Sequence, residues 1–190
     1  PGYSVDANRL PHLTFDADFD GGFRIISIED IEGNGLSFHR VKTMMRIDLA
    51  EPLKPGSVVK FQIDWKYLIG NRRDDDERSG YEYFPEDDNY LYAIAQFYPR
   101  MAVFDDFNGW QNKQFLGQGE FTLNFGNFDV KITAPADHVI AATGSLENES
   151  QVLNSIQLER LQSARASFDA PVVIITEEEA VLNEGSRSNQ

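Results

Sequence analysis

The chain has 190 residues, with 17 Lys and Arg against 31 Asp and Glu for a formal charge of −14, and it contains no cysteine. Fourteen Phe and seven Tyr exclude a disordered acidic tail, which lacks the apolar surface that offsets chain entropy. The acidity excludes nucleic acid, whose phosphates require clustered Lys and Arg, and the missing thiols exclude a disulfide scaffold, a thiolate zinc site and a cysteine nucleophile.

The opening Pro1-Gly2-Tyr3 has neither an initiator Met nor a signal-peptide pattern, and reads as a cut end within a longer protein. Phe23 to Ile31 predicts a strand, and Asn34-Gly35 a tight turn into a second strand, Leu36 to Val41. In Thr43 to Leu49 the apolar set Met45, Ile47 and Leu49 alternates with Met44, Arg46 and Asp48. Beyond a loop with Pro52 and Pro55-Gly56, the set Val59, Phe61, Ile63, Trp65 and Tyr67 alternates with Val58, Lys60, Gln62, Asp64 and Lys66. This period of two marks strands with one buried face, and the intervening loop predicts that these two strands form a hairpin. Tyr90 to Tyr98, Glu120 to Phe125, Phe128 to Thr133 and Val139 to Thr143 read as further strands, with Gly126-Asn127 as a turn. Asn154 or Ser155 can cap a helix, Gln157 stands three after Asn154 in capping-box spacing, and Leu158, Leu161 and Arg165, with Ile156 and Ala164, give a loose apolar stripe up to about Phe168. Val172 to Thr176 predicts a last short strand. The expected fold is mostly β, a two-sheet sandwich or saddle-like domain over residues 1–182 with one short helix near the C-terminus, and residues 183–190 form a frayed tail. No apolar run approaches a membrane span.

Candidate chemistry is sparse. Eight acids and three arginines lie between Arg72 and Asn89, but Asp74 and Asp76 lack the Gly and distant Glu of a calcium loop, so a solvated loop is the better reading. Asp105 and Asp106 are adjacent on an extended chain and point apart, so a glycosidase pair would need Glu120 with one of them. Gly117-Gln118-Gly119 has Thr122 where a dinucleotide loop has its third glycine, and a strand rather than a helix follows. His12, His39 and His138 are isolated, none begins H-E-x-x-H, and no G-x-S-x-G elbow occurs. Asn148-Glu149-Ser150 fits the short glycosylation sequon. These residues yield no catalytic constellation.

The segment from Tyr90 to Asn148 carries a more specific pattern: Tyr90-Leu-Tyr-Ala-Ile-Ala-Gln96-Phe-Tyr-Pro99-Arg100, then Asp105-Asp106, Gly109-Trp110, Phe115-Leu-Gly-Gln-Gly-Glu120-Phe, Asp129-Val-Lys-Ile-Thr-Ala-Pro135 and Ala141-Ala-Thr-Gly144. With the Pro52-Leu53-x-Pro55-Gly56 loop, it resembles the N-terminal β domain of the aminopeptidase N family of zinc metallopeptidases, in a bacterial branch, over roughly Thr43 to Thr176. The family's opening strands are partly missing. The resemblance implies a non-catalytic domain, inactive alone, that packs on a catalytic domain holding H-E-x-x-H and the zinc; no cofactor is expected in this chain. It also implies that a Gln or Glu of the β domain helps bind the substrate's free α-amino group. Gln96, followed by Arg100 and Asp105, takes that role with a gap of one residue against the family spacing. An amide oxygen suits an ammonium partner, because it accepts charge-assisted hydrogen bonds. Arg100 and Asp105 are expected to fix the fold through a salt bridge or turn contacts. A periplasmic, secreted or cell-envelope setting is favoured over the cytoplasm. The alternative is a stand-alone β-sandwich module that binds peptide or glycan through Trp110, Phe107 and Phe97.

Overall fold

The computed structural model describes residues 20–72, 79–86, 88–114, 122–135 and 138–183. Strand outweighs helix, 26% against 16%, so the chain is mostly β. It divides into two compact units, Pro1–Gly126 and Asn127–Gln190.

Among the described residues the first unit holds eight strands: β1 (Arg24–Asp30), β2 (Ser37–Val41), β3 (Met44–Asp48), β4 (Phe61–Lys66), β5 (Gly80–Phe84), β6 (Asn89–Ala93), β7 (Phe104–Asp105) and β8 (Gly109–Trp110). They form four two-stranded antiparallel sheets, β1 with β4, β2 with β3, β5 with β6 and β7 with β8. The alternation read in β4 is realised: Phe61, Ile63, Trp65 and Tyr67 are half-buried while Gln62, Asp64 and Lys66 are exposed. Its partner is β1 and not β3, which corrects the expected hairpin. Chain geometry supplies the reason. Lys42 takes a left-handed φ of 52°, so Val41 turns at once to pair with Met44, and β3 is used up by β2. The proline loop then carries the chain across to β1, with Asp30 opposite Phe61 and Arg24 opposite Lys66. The side-chain amide of Gln114 holds the Lys42 turn: its Oε1 accepts from the Thr43 amide at 3.2 Å and the Thr43 hydroxyl at 2.6 Å, and its Nε2 donates to the Val41 carbonyl at 3.2 Å.

A register shift between Ile25 and Ser27 places a bulge at Ile26, which is 66% exposed. The extra residue re-aims the strand, so that half-buried Phe23 and Ile25 are followed inward by Ile28, at 3% exposure. Burying Ile28 contributes roughly 1.5–3 kcal/mol. The turn after β1 is centred on Gly33 (φ 83°) rather than on Asn34-Gly35. Asp30 organises it, its Oδ1 accepting from the Glu32 and Asn34 amides at 2.8 and 2.9 Å. The Asn34 side chain first, and these backbone donors with it, hold the Asp30 carboxyl below the usual range.

Among the described residues the second unit holds α1 (Glu149–Val152), α2 (Ser155–Ala166) and α3 (Glu177–Asn183), where one helix was expected. The predicted box opens α2: the Asn154 side chain accepts from the Gln157 amide at 3.0 Å, and the Gln157 side chain accepts from the Asn154 amide at 3.0 Å. A second box opens α3. The Glu179 amide donates to Thr176 Oγ1 at 3.2 Å, and the Thr176 amide donates to Glu179 Oε2 at 3.0 Å. Arg160 of α2 ties the two helices, donating to that same Oε2 at 2.6 Å and to the Ile174 carbonyl at 3.0 Å. This pairing lowers the Glu179 pKa and raises that of Arg160.

The strands expected at Phe128 to Thr133, Val139 to Thr143 and Val172 to Thr176 do not form, and neither do the described residues of Glu120 to Phe125. Their sequence has the period, but they pair with no strand among the described residues. In Phe128 to Thr133 both alternating sets are exposed, and in the apolar one Phe128 stands at 63%, Val130 at 57% and Ile132 at 53%. Period two favours a strand only when a ladder satisfies its backbone and a surface receives one face.

Candidate functional site

Gln96 follows the end of β6 by three residues and sits between two anchored neighbours. Before it, the Ser79 hydroxyl donates to the Ala93 carbonyl at 3.1 Å and accepts from the Ala95 amide at 3.1 Å. After it, the Trp65 indole of β4 donates to the Phe97 carbonyl at 3.0 Å. Between these anchors Gln96 takes a left-handed φ of 52° and its side chain is exposed. A non-glycine residue in this region costs about 1–3 kcal/mol and persists where its surroundings over-determine it. The β4 and β5–β6 sheets thus meet at the residue on which the sequence placed amine binding. Its carboxamide offers an acceptor to a cation, held by a backbone fixed on either side.

Beyond Gln96, the Phe97 and Tyr98 rings meet edge to face at 5.2 Å, and the Arg100 guanidinium lies 5.5 Å over the Tyr98 ring. Asp105 fixes a turn, as one of the two expectations had it. It accepts from the Phe107 amide at 3.1 Å, the Asn108 amide at 2.5 Å and the Gln111 side chain at 2.5 Å, which closes the β7–β8 ribbon. The Asn108 amide and then the Gln111 side chain hold its carboxyl below the ordinary range. A carboxylate so committed serves poorly as a proton shuttle. Next to it, Val103 is 6% exposed and its carbonyl accepts from the Gln111 amide at 2.8 Å. The Phe104 and Trp110 rings cross at 5.3 Å, and Phe107 at the tip is 91% exposed.

His39 lies exposed on β2 opposite Arg46 of β3. His12, Glu120, the Gly117-Gln118-Gly119 loop, the acids at 74–77 and Asp87 lie outside the described residues, as does most of the 183–190 tail. Among the described residues no three of His, Cys, Asp and Glu converge into a group that could hold a metal ion. None of the described helices is long and apolar enough to cross a membrane. A groove of about 350 Å³ lies between the β1–β2 turn and the proline loop, against Leu36, Leu49, Pro52 and Val58, and does not include Gln96.

Sequence reasoning missed two supports of this region and one further feature of the β5–β6 hairpin. Trp65 reads as a buried strand residue, and its indole donor also anchors the Gln96 segment. Ser79 carried no signal at all. The further feature is an aromatic face on β5–β6, spelled in the sequence as Tyr81-x-Tyr83 and Tyr90-x-Tyr92. No protein-family model, curated protein or solved structure matches the chain.

Proposed function

We propose that the chain is the N-terminal, non-catalytic β domain of a zinc aminopeptidase-like protein, and that Gln96 receives the free α-amino group of the substrate. The observation that supports this reading is the setting of Gln96: an exposed carboxamide on a left-handed residue, pinned on one side through Ser79 and on the other through Trp65. Strain at a polar, exposed position is a feature of binding sites, because the loop would otherwise relax. On this reading the zinc and its H-E-x-x-H helix belong to a catalytic domain on which this one packs, and the chain alone turns over no aminoacyl substrate.

The test is made in the full-length parent polypeptide. Gln96→Ala is expected to lower kcat/KM for substrates with a free N-terminus by an amount equivalent to about 1–3 kcal/mol, the cost of leaving a charged partner unpaired. An unchanged kcat/KM refutes the role of Gln96. A parent sequence without a zinc-binding catalytic domain, or turnover by the isolated chain, refutes the assignment of the domain.

A second reading, a stand-alone module binding peptide or glycan, draws on the exposed aromatics of the β7–β8 ribbon, with Phe107 at 91% and Trp110 at 54% exposure. Half-buried Phe97, engaged with Tyr98, does not contribute to that surface.

A further inference from the structure

We propose that the tyrosine face of the β5–β6 hairpin is a docking surface for an extended, arginine-rich segment of a partner protein. The proposal does not depend on the peptidase reading, because it concerns a different face and can be tested on this chain alone.

The register sets Tyr81 opposite Tyr92 and Tyr83 opposite Tyr90. Side chains two apart on a strand share a face, so all four rings lie on one side of the ribbon. They touch one another: the Tyr83 and Tyr90 centroids are 4.8 Å apart, Tyr81 and Tyr90 6.0 Å, and Tyr90 and Tyr92 5.9 Å with planes only 14° from parallel. The platform remains open to solvent, with Tyr83, Tyr90 and Tyr92 at 38%, 47% and 44% exposure. Three contiguous exposed rings, backed by half-buried Tyr81, exceed the single scattered aromatics of an ordinary surface.

Charge selects the occupant. From Phe84 to Pro99 the chain contains Glu86, Asp87 and Asp88 and no Lys or Arg, while Glu82 alternates to the opposite face of β5 and pairs with Arg72 at 3.3 Å. Asp88 belongs to the platform, since the Tyr83 hydroxyl donates to its Oδ1 at 3.1 Å. Negative ring faces beside carboxylates attract a planar cation, and guanidinium both stacks on aromatic rings and forks onto carboxylates. The chain shows this chemistry once already, in Arg100 over Tyr98 at 5.5 Å. An extended segment with arginine at alternate positions places its cations about 6.6–6.8 Å apart, in step with the rings along each strand. A neutral glycan would stack on the rings and donate hydroxyls to the acids but bring no charge to pair with them.

The test titrates the chain with a fluorescein-labelled alternating Arg-Gly peptide and reads anisotropy. The expected result is saturable binding that weakens about fivefold to thirtyfold in Tyr83→Leu/Tyr90→Leu, which keeps apolar bulk on the ribbon but removes two ring faces. Asp88→Asn is expected to weaken it as well. Asp48→Asn, the same charge change on β3, is expected to leave it unaltered. Undiminished binding by the double tyrosine variant overturns the proposal. So does equal weakening by Asp48→Asn, which would mean unspecific attraction to an acidic protein. Preferential binding of a neutral oligosaccharide, with no response to the peptide, also overturns it and favours a glycan surface. If the double variant does not fold, ring-proton shifts of the unmodified chain decide: the peptide must move the resonances of Tyr83 and Tyr90 and spare those of Tyr67.

Discussion

Gly80 opens β5 at a φ of 153°, a region reserved almost wholly for glycine. A Cβ there would stand 2.8 Å from the Gly70 carbonyl oxygen and 3.0 Å from both the Arg72 amide nitrogen and its Cβ. The nearest obstacles are therefore mostly backbone and cannot swing aside. That same Gly70 oxygen accepts the Tyr81 amide at 2.9 Å, so relief of the clash removes a hydrogen bond that starts the ribbon. The conformational strain of Gly80→Ala is about 1–3 kcal/mol, and the displaced hydrogen bond adds roughly 0.5–1.5 kcal/mol. Two other glycines isolate the parts. Gly56 has a φ of 78° with open space around it, so Gly56→Ala carries strain alone, about 1–2 kcal/mol. Gly35 is equally open and has no left-handed φ, so Gly35→Ala is expected to stabilise by about 0.4–1 kcal/mol through the unfolded chain. Urea denaturation at constant m-value, followed by far-UV circular dichroism, ranks the three. A Gly80→Ala cost no larger than that of Gly56→Ala would refute the steric argument.

Two further outcomes follow from the turns and caps. Asp105 has a folded-state pKa below its unfolded value, so its turn contributes stability above about pH 3.9, and that contribution is lost as the pH falls through the lower, folded value. The urea midpoint of the wild type should consequently fall more steeply below about pH 4 than that of Asp105→Asn; parallel profiles would show that the Asn108 and Gln111 contacts do not form in solution. Thr176→Ala removes the acceptor of the Glu179 amide and should cost about 0.5–2 kcal/mol, with Thr176→Ser near wild type, read from thermal unfolding of the helical signal.

Local rules made much of the fold legible. The buried face of β4, from Phe61 to Tyr67, and the Asn154–Gln157 cap of α2 follow from periodicity and from side-chain reach over a few residues. Pairing was another matter, because it depends on which strand is free: the two-residue turn at Lys42 took β3 from β4. The helix α3 was readable in principle, since Thr176-Glu177-Glu178-Glu179 spells a capping box, but the preceding Val172 to Thr176 run suggested a strand. Period two at Phe128 to Thr133 forms no ladder with a strand among the described residues. At the candidate site the sequence pointed to Gln96 by resemblance. Nothing local announced Ser79 or Trp65 as its supports, because each acts across a gap of 16 or 32 residues.

The clamp between Gln114 and the Lys42 turn spans 71 to 73 positions of chain. Hairpins with tight turns close in about 1–10 μs, while contacts of high sequence separation must wait until the intervening loop entropy has been overcome. The β2–β3 ribbon can therefore form early, with the Thr43 amide still open to water, and that amide gains its acceptor only once Gln114 arrives. Its exchange with solvent deuterium therefore reports whether the Gln114 segment has docked on an already formed ribbon.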